Sequence, residues 1–229
     1  MLYRWEHEGV VAYRSPQLDA LGIPHAFGTK LGDDQAIANA LKLADREWVR
    51  VRQVHGHAVH LSSQGGSSRS TCDADAVVLR DPKQVTRIIT ADCVPILLAA
   101  TDGSAVAAVH AGWRGLVSGV VNEAVDVLAN RFIAAIGPSI SVKRFEVGEE
   151  VAERFDERFV RRDLGSRPHV DLRAATHALL HRLGAQAIDT TDRCTAEHDD
   201  EFFSYRRDVT QRQLESTGRM SSVIGLTNL

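Results

Sequence analysis

Two residues able to bind a metal ion or act in thiol catalysis stand at the ends of neighbouring apolar segments. The stretch TADCVPILLAATDGSAVAAVHAGWRG, residues 90–115, places Cys93 before the first apolar run and His110 at the end of the second. A thiolate and an imidazole are typical ligands of zinc and copper, and the same pair can supply a nucleophile and its base. Either chemistry requires the two side chains to meet.

The segment that joins the two runs predicts a β-hairpin. Asp102-Gly103 between apolar runs is typical of a type I′ turn, in which both central residues have positive φ. Cross-strand residue numbers then sum to 205, so Pro95 faces His110, and Cys93 lies diagonally opposite the histidine on the same face, with Cβ atoms roughly 7 Å apart. The spacing therefore brings a thiol and an imidazole together at one end of a sheet. Taken alone, the pair is also compatible with a buried structural cysteine and a strand-end histidine.

The residues after His110 add a second feature. Gly112, Trp113 and Arg114 lead into an amphipathic segment in which apolar residues recur with helical spacing over residues 117–128. A glycine-flanked helix N-terminus beside an arginine is typical of an anion-binding site.

The remaining elements must position these residues. Strands alternate with helices along the chain, which predicts an α/β fold: a single layered domain, residues 1–229, around one mixed β-sheet. We expect strands at 24–28, from 48 towards 56, at 132–137 and at 221–226, helices at about 34–44 and 171–183, and a surface loop at 62–71.

Composition narrows the class of protein. The 229 residues carry a net charge of −3, which gives no electrostatic footprint for nucleic acid or an anionic membrane. No apolar run approaches the ~18 residues needed to span a bilayer, and we expect no signal peptide in MLYRWEHEGVV. The three cysteines, Cys72, Cys93 and Cys194, form no CxxC motif, which favours a reducing, cytoplasmic location.

Eight motifs in a fixed order carry a resemblance to a known family. They are QVHG (53–56), DADAVV (73–78), TADCVP (90–95), HAGWRG (110–115), IGPSI (136–140), FEVGEEV (145–151), FFSYRRD (202–208) and TGRMSSVIGL (217–226). Together they resemble the YfiH-like family, also called the laccase-domain or multi-copper polyphenol oxidoreductase family. The resemblance covers almost the whole chain.

The resemblance implies a zinc site and a nucleoside substrate. By motif, the ligands would be His55, Cys93 and His110, and three protein ligands leave the open fourth position of a catalytic zinc. The family is described as phosphorolysing adenosine, inosine, guanosine and S-methyl-5′-thioadenosine, with deamination of adenosine at the same site. Cys93, His110, His55 and Asp92 would then be the catalytic residues, with Asp92 orienting a ligand, shuttling a proton or capping the strand end.

Phosphorolysis also requires a site for phosphate beside the purine nucleoside. The candidates are Arg114 with Gly112 and Trp113 at the start of the helix, and Arg206 as a weaker one.

Two departures from the family pattern bear on substrate choice. The segment FGTKLGDD (27–34) is abbreviated, and Ala40 follows Asn39 where the family usually has an Asn-Arg pair. VTQRQLES (209–216) is an insertion before TGRM. We therefore expect a pocket arginine and part of the pocket wall to be missing.

Several alternatives remain open. A metal-free thiol hydrolase, such as one editing peptidoglycan precursors, would use Cys93 as nucleophile, His110 as base and His55 to orient it. One copper ion could replace zinc in a polyphenol oxidoreductase, since copper often binds more tightly, although a multi-copper site needs more histidine pairs than this chain has.

His177 and His181 have metal-pair spacing on the 171–183 helix, but a solvated face explains them better. His57 and His60 lie outside the motif position, and Cys72 and Cys194 are expected to be structural.

Overall fold

The computed structural model describes residues 1–62, 72–129 and 131–227, so most of the predicted 62–71 loop lies outside the described residues. The strands within these ranges are β1 (Tyr3–His7), β2 (Val10–Arg14), β3 (His25–Gly28), β4 (Glu47–Val49), β5 (Val59–Ser62), β6 (Ala76–Leu79), β7 (Gln84–Thr90), β8 (Val94–Ala100), β9 (Val106–Ala111), β10 (Phe132–Ile136), β11 (Val160–Arg161), β12 (His169–Val170), β13 (Ala187–Asp189) and β14 (Met220–Gly225). The α-helices are α1 (Pro16–Ala20), α2 (Asp34–Ala40), α3 (Trp113–Ser118), α4 (Val120–Leu128), α5 (Glu149–Ala152) and α6 (Leu172–Arg182). A 3₁₀ turn spans Glu157–Phe159, and a π-helical segment spans Arg206–Gln211.

In the described part of the chain, the strands form two six-stranded sheets and a two-stranded ribbon of β11 and β12. The first sheet has the order β1-β2-β3-β14-β7-β4, and the second has the order β13-β10-β8-β9-β6-β5. Each sheet is mixed: β4 runs parallel to β7 in the first, and β13 to β10 and β5 to β6 in the second. The predicted α/β class with mixed strand directions is confirmed, but its strands divide between two sheets.

Alternation of side chains along the strands builds the layers. Leu97 and Val77 point into an apolar cluster shared with strands of the first sheet, whereas Leu98 and Val78 point to the opposite face, under α4 and α6. On the outer face of the first sheet, Ile37 of α2 joins a third cluster. All seven residues of β8 are buried, as expected of a strand covered on both faces. The order of layers is α2, first sheet, second sheet, then α3, α4 and α6.

The predicted register of the β8–β9 hairpin is confirmed. Pro95 pairs with His110 and Leu97 pairs with Ala108, so the partners sum to 205 as expected. This register places the start of β8 and the end of β9 side by side at one end of the second sheet.

The turn of this hairpin differs from the predicted type I′ turn. Gly103 has φ of 73°, but Asp102 does not have positive φ. The Gly103 N–H donates to the Ala100 carbonyl over 3.0 Å, and the Asp102 carboxylate accepts from the Ser104 N–H at 3.0 Å. Side-chain capping by Asp102 thus favours a longer turn with one left-handed residue.

The helical segment after β9 is broken in two. α3 ends and α4 begins at Gly119, which has φ of 94°. The apolar spacing predicted one face over 117–128, and the buried residues Val120, Val121, Ala124 and Leu128 of α4 do follow it. The left-handed glycine redirects the chain between the two helices, which a continuous helix could not do.

The other helices fit the prediction more closely. The Asp33 carboxylate caps α2, which ends at Ala40 instead of near residue 44 because Lys42 turns to φ of 59°. The Asp171 carboxylate caps α6 at the Ala174 N–H, and a left-handed Gly184 follows the helix.

Candidate metal site and its cavity

The three side chains predicted to be metal ligands converge. One ligand atom each from His55, Cys93 and His110 lie within 4.8 Å of one another, and the two imidazole rings meet edge to face with centroids 4.8 Å apart. This is the one such cluster of three or more histidine, cysteine or carboxylate side chains within the described ranges. The hairpin register accounts for the contact of Cys93 with His110, and the loop before β5 adds His55.

Cys93 lies on the short segment that crosses from β7 in the first sheet to β8 in the second. Its neighbour Asp92 is buried and has φ of 92°, a conformation that costs a non-glycine residue about 1–3 kcal/mol. The Asp92 carboxylate accepts hydrogen bonds from Thr195 Oγ1 at 2.6 Å, Ser204 Oγ at 3.1 Å and the Arg206 N–H at 2.7 Å. These contacts hold the strained crossing in place and favour a bracing role for Asp92.

A buried carboxylate links the two histidines. His110 Nδ1 donates to Asp75 Oδ1 over 2.7 Å, which leaves Nε2 of the ring for a metal ion or the thiolate. The same carboxylate accepts the backbone N–H groups of Val54, His55 and Gly56 at 3.1, 3.0 and 2.7 Å. Asp75 therefore contacts the ring of one candidate ligand and the backbone of the other.

Asp75 was not among the predicted site residues, although it lies in the DADAVV motif. Its side chain is fully buried. A buried carboxylate requires hydrogen-bond or charge partners, so the available signal was an acidic residue directly before the apolar strand β6. Those partners come from distant parts of the chain and are not apparent from local spacing.

The electrostatics of the cluster favour a thiolate. Burial raises the pKa of Cys93, but hydrogen bonds with His110 and His55 outweigh burial and lower this pKa to about 7. Burial lowers the pKa of His110, but hydrogen bonds with Asp75 and Cys93 raise it to about 9. Both shifts favour the thiolate of Cys93 beside the imidazolium of His110 in the metal-free site, and a thiolate is the form that binds metal.

Gly112 leaves room for the cluster. A Cβ atom at this position would lie 3.1 Å from Cys93 Sγ and 3.2 Å from His55 Cδ2. Any side chain here would push the thiol or the imidazole away. Gly112 therefore lies directly beside the candidate ligands, where a Cβ would crowd them, and its predicted role in phosphate binding stays a prediction.

The three ligands line a cavity of about 540 Å³ where the two sheets meet. Of the predicted site residues, Asp92, Arg114 and Arg206 also line it, whereas Trp113 and Gly112 do not. Trp113 packs against the apolar cluster between the second sheet and helices α4 and α6. The Arg114 guanidinium lies over the Trp113 ring, with its Cζ atom 4.7 Å from the ring centroid. The other lining residues were not anticipated as site residues; they are Gln53, Ile89, Thr90, Ala91, Ile140, Phe145, Tyr205 and Arg219.

The two predicted phosphate-binding arginines differ in their surroundings. The Arg206 guanidinium donates to the carbonyl groups of Arg144 and Glu146 at 3.2 and 2.7 Å and lies over the Phe145 ring. Arg114 is exposed and has no ion pair with a described residue. Arg114 is therefore free to bind an anion, while Arg206 shapes the wall.

The residues expected to leave a gap in the pocket lie elsewhere. Asn39 and Ala40 are at the end of α2, and neither lines the 540 Å³ cavity. Ala40 lines a separate cavity of about 410 Å³. The structure thus places the Asn39-Ala40 position away from this cavity, and the expected loss of a pocket arginine and part of the pocket wall stays a prediction.

The competing candidates do not join the cluster. His177 and His181 are exposed on α6, as expected of a solvated face, and His57 is exposed as well. Cys72 Sγ lies 3.4 Å from His60 Nδ1, outside the site, and all three cysteines are free thiols. Cys194 is buried and accepts the Ser141 N–H at 3.2 Å, which fits a structural role.

Comparison with known proteins decides the family. A family model described as "Multi-copper polyphenol oxidoreductase laccase" matches residues 32–227. The chain belongs to this YfiH family. A protein of Deinococcus radiodurans named purine nucleoside phosphorylase is 35% identical over 95% of this chain and 94% of its own. The Escherichia coli protein named purine nucleoside phosphorylase YfiH is 38% identical over 96% and 95%, respectively.

Solved structures show the same YfiH fold. A Neisseria meningitidis protein of the family called DUF152 is 28% identical, covers 99% of both chains and superposes with a TM-score of 0.72. YlmD from Geobacillus stearothermophilus, at 23% identity and 99% coverage of both chains, superposes with a TM-score of 0.83. Within the described residues, no helix is both long and apolar enough to cross a membrane.

Proposed function

We propose that residues 1–229 form one cytoplasmic catalytic domain, a zinc-dependent purine nucleoside enzyme. Its reaction is phosphorolysis of adenosine, inosine, guanosine and S-methyl-5′-thioadenosine, with deamination of adenosine at the same site. The observation that carries this proposal is the convergence of His55, Cys93 and His110 on one cavity that is also lined by Arg114, an exposed arginine without an ion pair to any described residue. The names of the Deinococcus and Escherichia relatives support the substrate class.

The donor set fits zinc. Two imidazoles and a thiolate are three ligands of the types that zinc prefers, and Asp75 fixes His110 so that Nε2 is the free nitrogen. His55, Cys93 and His110 would hold the ion. A bound zinc supplies Lewis-acid polarisation and lowers the pKa of coordinated water. Copper also suits this donor set, so a metal analysis of the purified protein should decide between the two.

The cavity wall fits an anionic co-substrate. Arg114, Arg206 and Arg219 line the cavity, whereas Asp92, the acidic residue among its lining, is engaged by three hydrogen bonds within the chain. Arg114 would bind the phosphate dianion through charge-assisted hydrogen bonds. In phosphorolysis a phosphate oxygen bonds to C1′ of the ribose while the bond to purine N9 breaks and its electron pair leaves with the base. In deamination, water replaces the amino group at C6 and ammonia leaves.

Product analysis tests the proposal. Zinc-loaded protein would be incubated with adenosine, with and without phosphate, beside a Cys93→Ala control, and the products resolved by mass. Adenine with ribose 1-phosphate, formed only when phosphate is present, is the expected result, together with inosine from deamination. Inosine alone would limit the function to deamination, and no product from a zinc-loaded protein would contradict the proposal.

A thiol hydrolase, for example one acting on peptidoglycan precursors, is the second candidate. One observation favours it: Cys93, His110 and Asp75 form a continuous thiolate–imidazole–carboxylate series. Alkylation by iodoacetamide separates the two candidates. A zinc-bound thiolate should be protected until a chelator is added, whereas a free nucleophile should react at the same rate with or without the chelator.

A further inference from the structure

We infer that Asp75 is a positioning residue that holds both histidines of the site towards Cys93. This inference rests on the proposed metal site and extends it to a residue that would not itself touch the ion. Each oxygen of the carboxylate accepts two hydrogen bonds: Oδ1 from His110 Nδ1 and the His55 N–H, and Oδ2 from the Val54 and Gly56 N–H groups.

The first set of Asp75 contacts orients the His110 ring. Because a carboxylate only accepts, the 2.7 Å contact from Nδ1 fixes both the tautomer and the rotation of the ring. The backbone strengthens the link, since the His110 N–H donates to the Asp75 carbonyl over 2.7 Å. Nε2 is therefore directed towards Cys93 and His55.

The second set of Asp75 contacts holds the backbone of the loop that contains His55. The His55 side chain is exposed, so its burial does little to hold the loop, and the His55 backbone has a left-handed φ of 60°. Three successive N–H groups wrap around the Asp75 carboxylate, as in the backbone concavities that bind anions. Without that carboxylate the three donors would lose their common acceptor, and the loop would lose the contact that defines its conformation.

The neighbouring Asp73 provides a matched control. It lies two residues away in the same motif, but its carboxylate is exposed and pairs with the exposed Arg52, with Oδ2 accepting from Nη2 at 2.7 Å. Asp73→Asn removes the same charge from the same segment without touching either histidine. Surface ion pairs of this kind contribute little to stability.

The test is the zinc affinity of Asp75→Asn, measured by competition with a chromophoric chelator. An amide has only one acceptor oxygen. In either orientation, the NH₂ group of the substituted side chain would therefore face two of the four donors whose hydrogen bonds the Asp75 carboxylate accepts. We expect Asp75→Asn to bind zinc about 10- to 100-fold more weakly and Asp73→Asn to bind it as wild type does. Equal affinity of folded Asp75→Asn and wild type would overturn the inference.

A second measurement needs no variant. In metal-free wild type, nuclear magnetic resonance should show a protected His110 Nδ1–H proton and slow exchange of the amides of Val54, His55 and Gly56. Fast exchange at these positions would overturn the inference even if Asp75→Asn did not fold. Wild-type protein that binds no zinc, but retains the protected protons, would instead contradict the proposed function and leave the positioning role supported.

Discussion

A Cβ at position 112 would stand 3.1 Å from Cys93 Sγ and 3.2 Å from His55 Cδ2, closer than ordinary van der Waals contact. Gly112→Ala should therefore displace the thiol or the imidazole by a few tenths of an ångström or more. Misplacement of reacting groups by 1 Å costs about 100-fold, so a shift of a few tenths of an ångström should lower kcat/KM several-fold, up to about 10-fold, together with weaker zinc binding. Steady-state kinetics and chelator competition measure the two effects.

A glycine outside the site provides the control. In Gly165→Ala the new Cβ meets no described atom nearer than His169 Cε1 at 3.3 Å, and position 165 does not line the cavity. Its kinetics should match those of wild type. An active Gly112→Ala with unchanged zinc affinity would show that the cluster does not need this space.

Arg114 and Arg206 should respond differently to the same substitution. Arg114→Gln removes an exposed charge that has no ion pair with a described residue. Because hydrogen bonds to charged groups contribute about 1.5–3 kcal/mol, the KM for phosphate should rise about 10- to 100-fold with little change in stability. Arg206→Gln removes donors to two backbone carbonyl groups and should lower the unfolding temperature as well. Phosphate-dependent kinetics and thermal unfolding separate the two effects.

The exposed Arg131, which does not line the cavity, is the control for charge alone. Arg131→Gln should leave the KM for phosphate at its wild-type value. If Arg114→Gln also left it unchanged, phosphate would have to bind elsewhere in the cavity.

At the scale of elements, His25 joins β3 to the start of α1. Its Nε2 accepts the Ser15 N–H at 2.8 Å and its Nδ1 donates to the Ile23 carbonyl at 2.8 Å, so the fold requires the neutral ring. Burial is the main cause that lowers the pKa of His25, from 6.5 to about 4. Above pH 6.5 the ring is neutral in both states, whereas between pH 6.5 and 4 the unfolded chain binds a proton that the folded chain does not. Stability should fall by roughly 3 kcal/mol across that window.

Urea unfolding of the metal-free protein at pH 7 and pH 4.5 measures this loss without interference from zinc. His25→Gln cannot titrate and should lack this part of the pH dependence, whatever its stability at pH 7. The same slope in both proteins would assign the loss to other groups.

The elements show which contacts the sequence could predict. The hairpin of β8 and β9 followed from two apolar runs around a turn, because strand pairing across a short loop is local. The predicted type I′ turn was wrong because the Asp102 carboxylate accepts a hydrogen bond from the Ser104 N–H. The Asp-Gly pair alone does not indicate this interaction. The helix break was missed because the apolar spacing continues across Gly119.

The contacts that complete the site are long-range. His55 reached the candidate site only through the family resemblance, since it lies in a loop about 40 residues before Cys93. Asp75 was not predicted because its place in the site depends on hydrogen-bond partners in that loop and on β9. Local periodicity fixes neither of these contacts.

In the whole molecule, the site lies where the two sheets meet. Cys93 ends the crossing between the sheets, His110 lies on the second sheet, and Ile89 and Thr90 of the first sheet line the same cavity. A metal ion held by His55, Cys93 and His110 would tie the crossing, the end of β9 and the loop before β5 together. Zinc binding should therefore stabilise the whole fold.

Zinc at 100 times its Kd should stabilise the wild-type protein by about 2.7 kcal/mol, because a ligand that binds only the folded state shifts the unfolding equilibrium by mass action. Denaturant unfolding with zinc and with chelator gives the difference. Cys93→Ala should lose it, whereas Cys72→Ala, which removes a thiol outside the site, should keep it. An equal zinc effect in Cys93→Ala would place the ion elsewhere, with the Cys72–His60 pair as the first alternative, and Cys72→Ala would then lose the stabilisation instead.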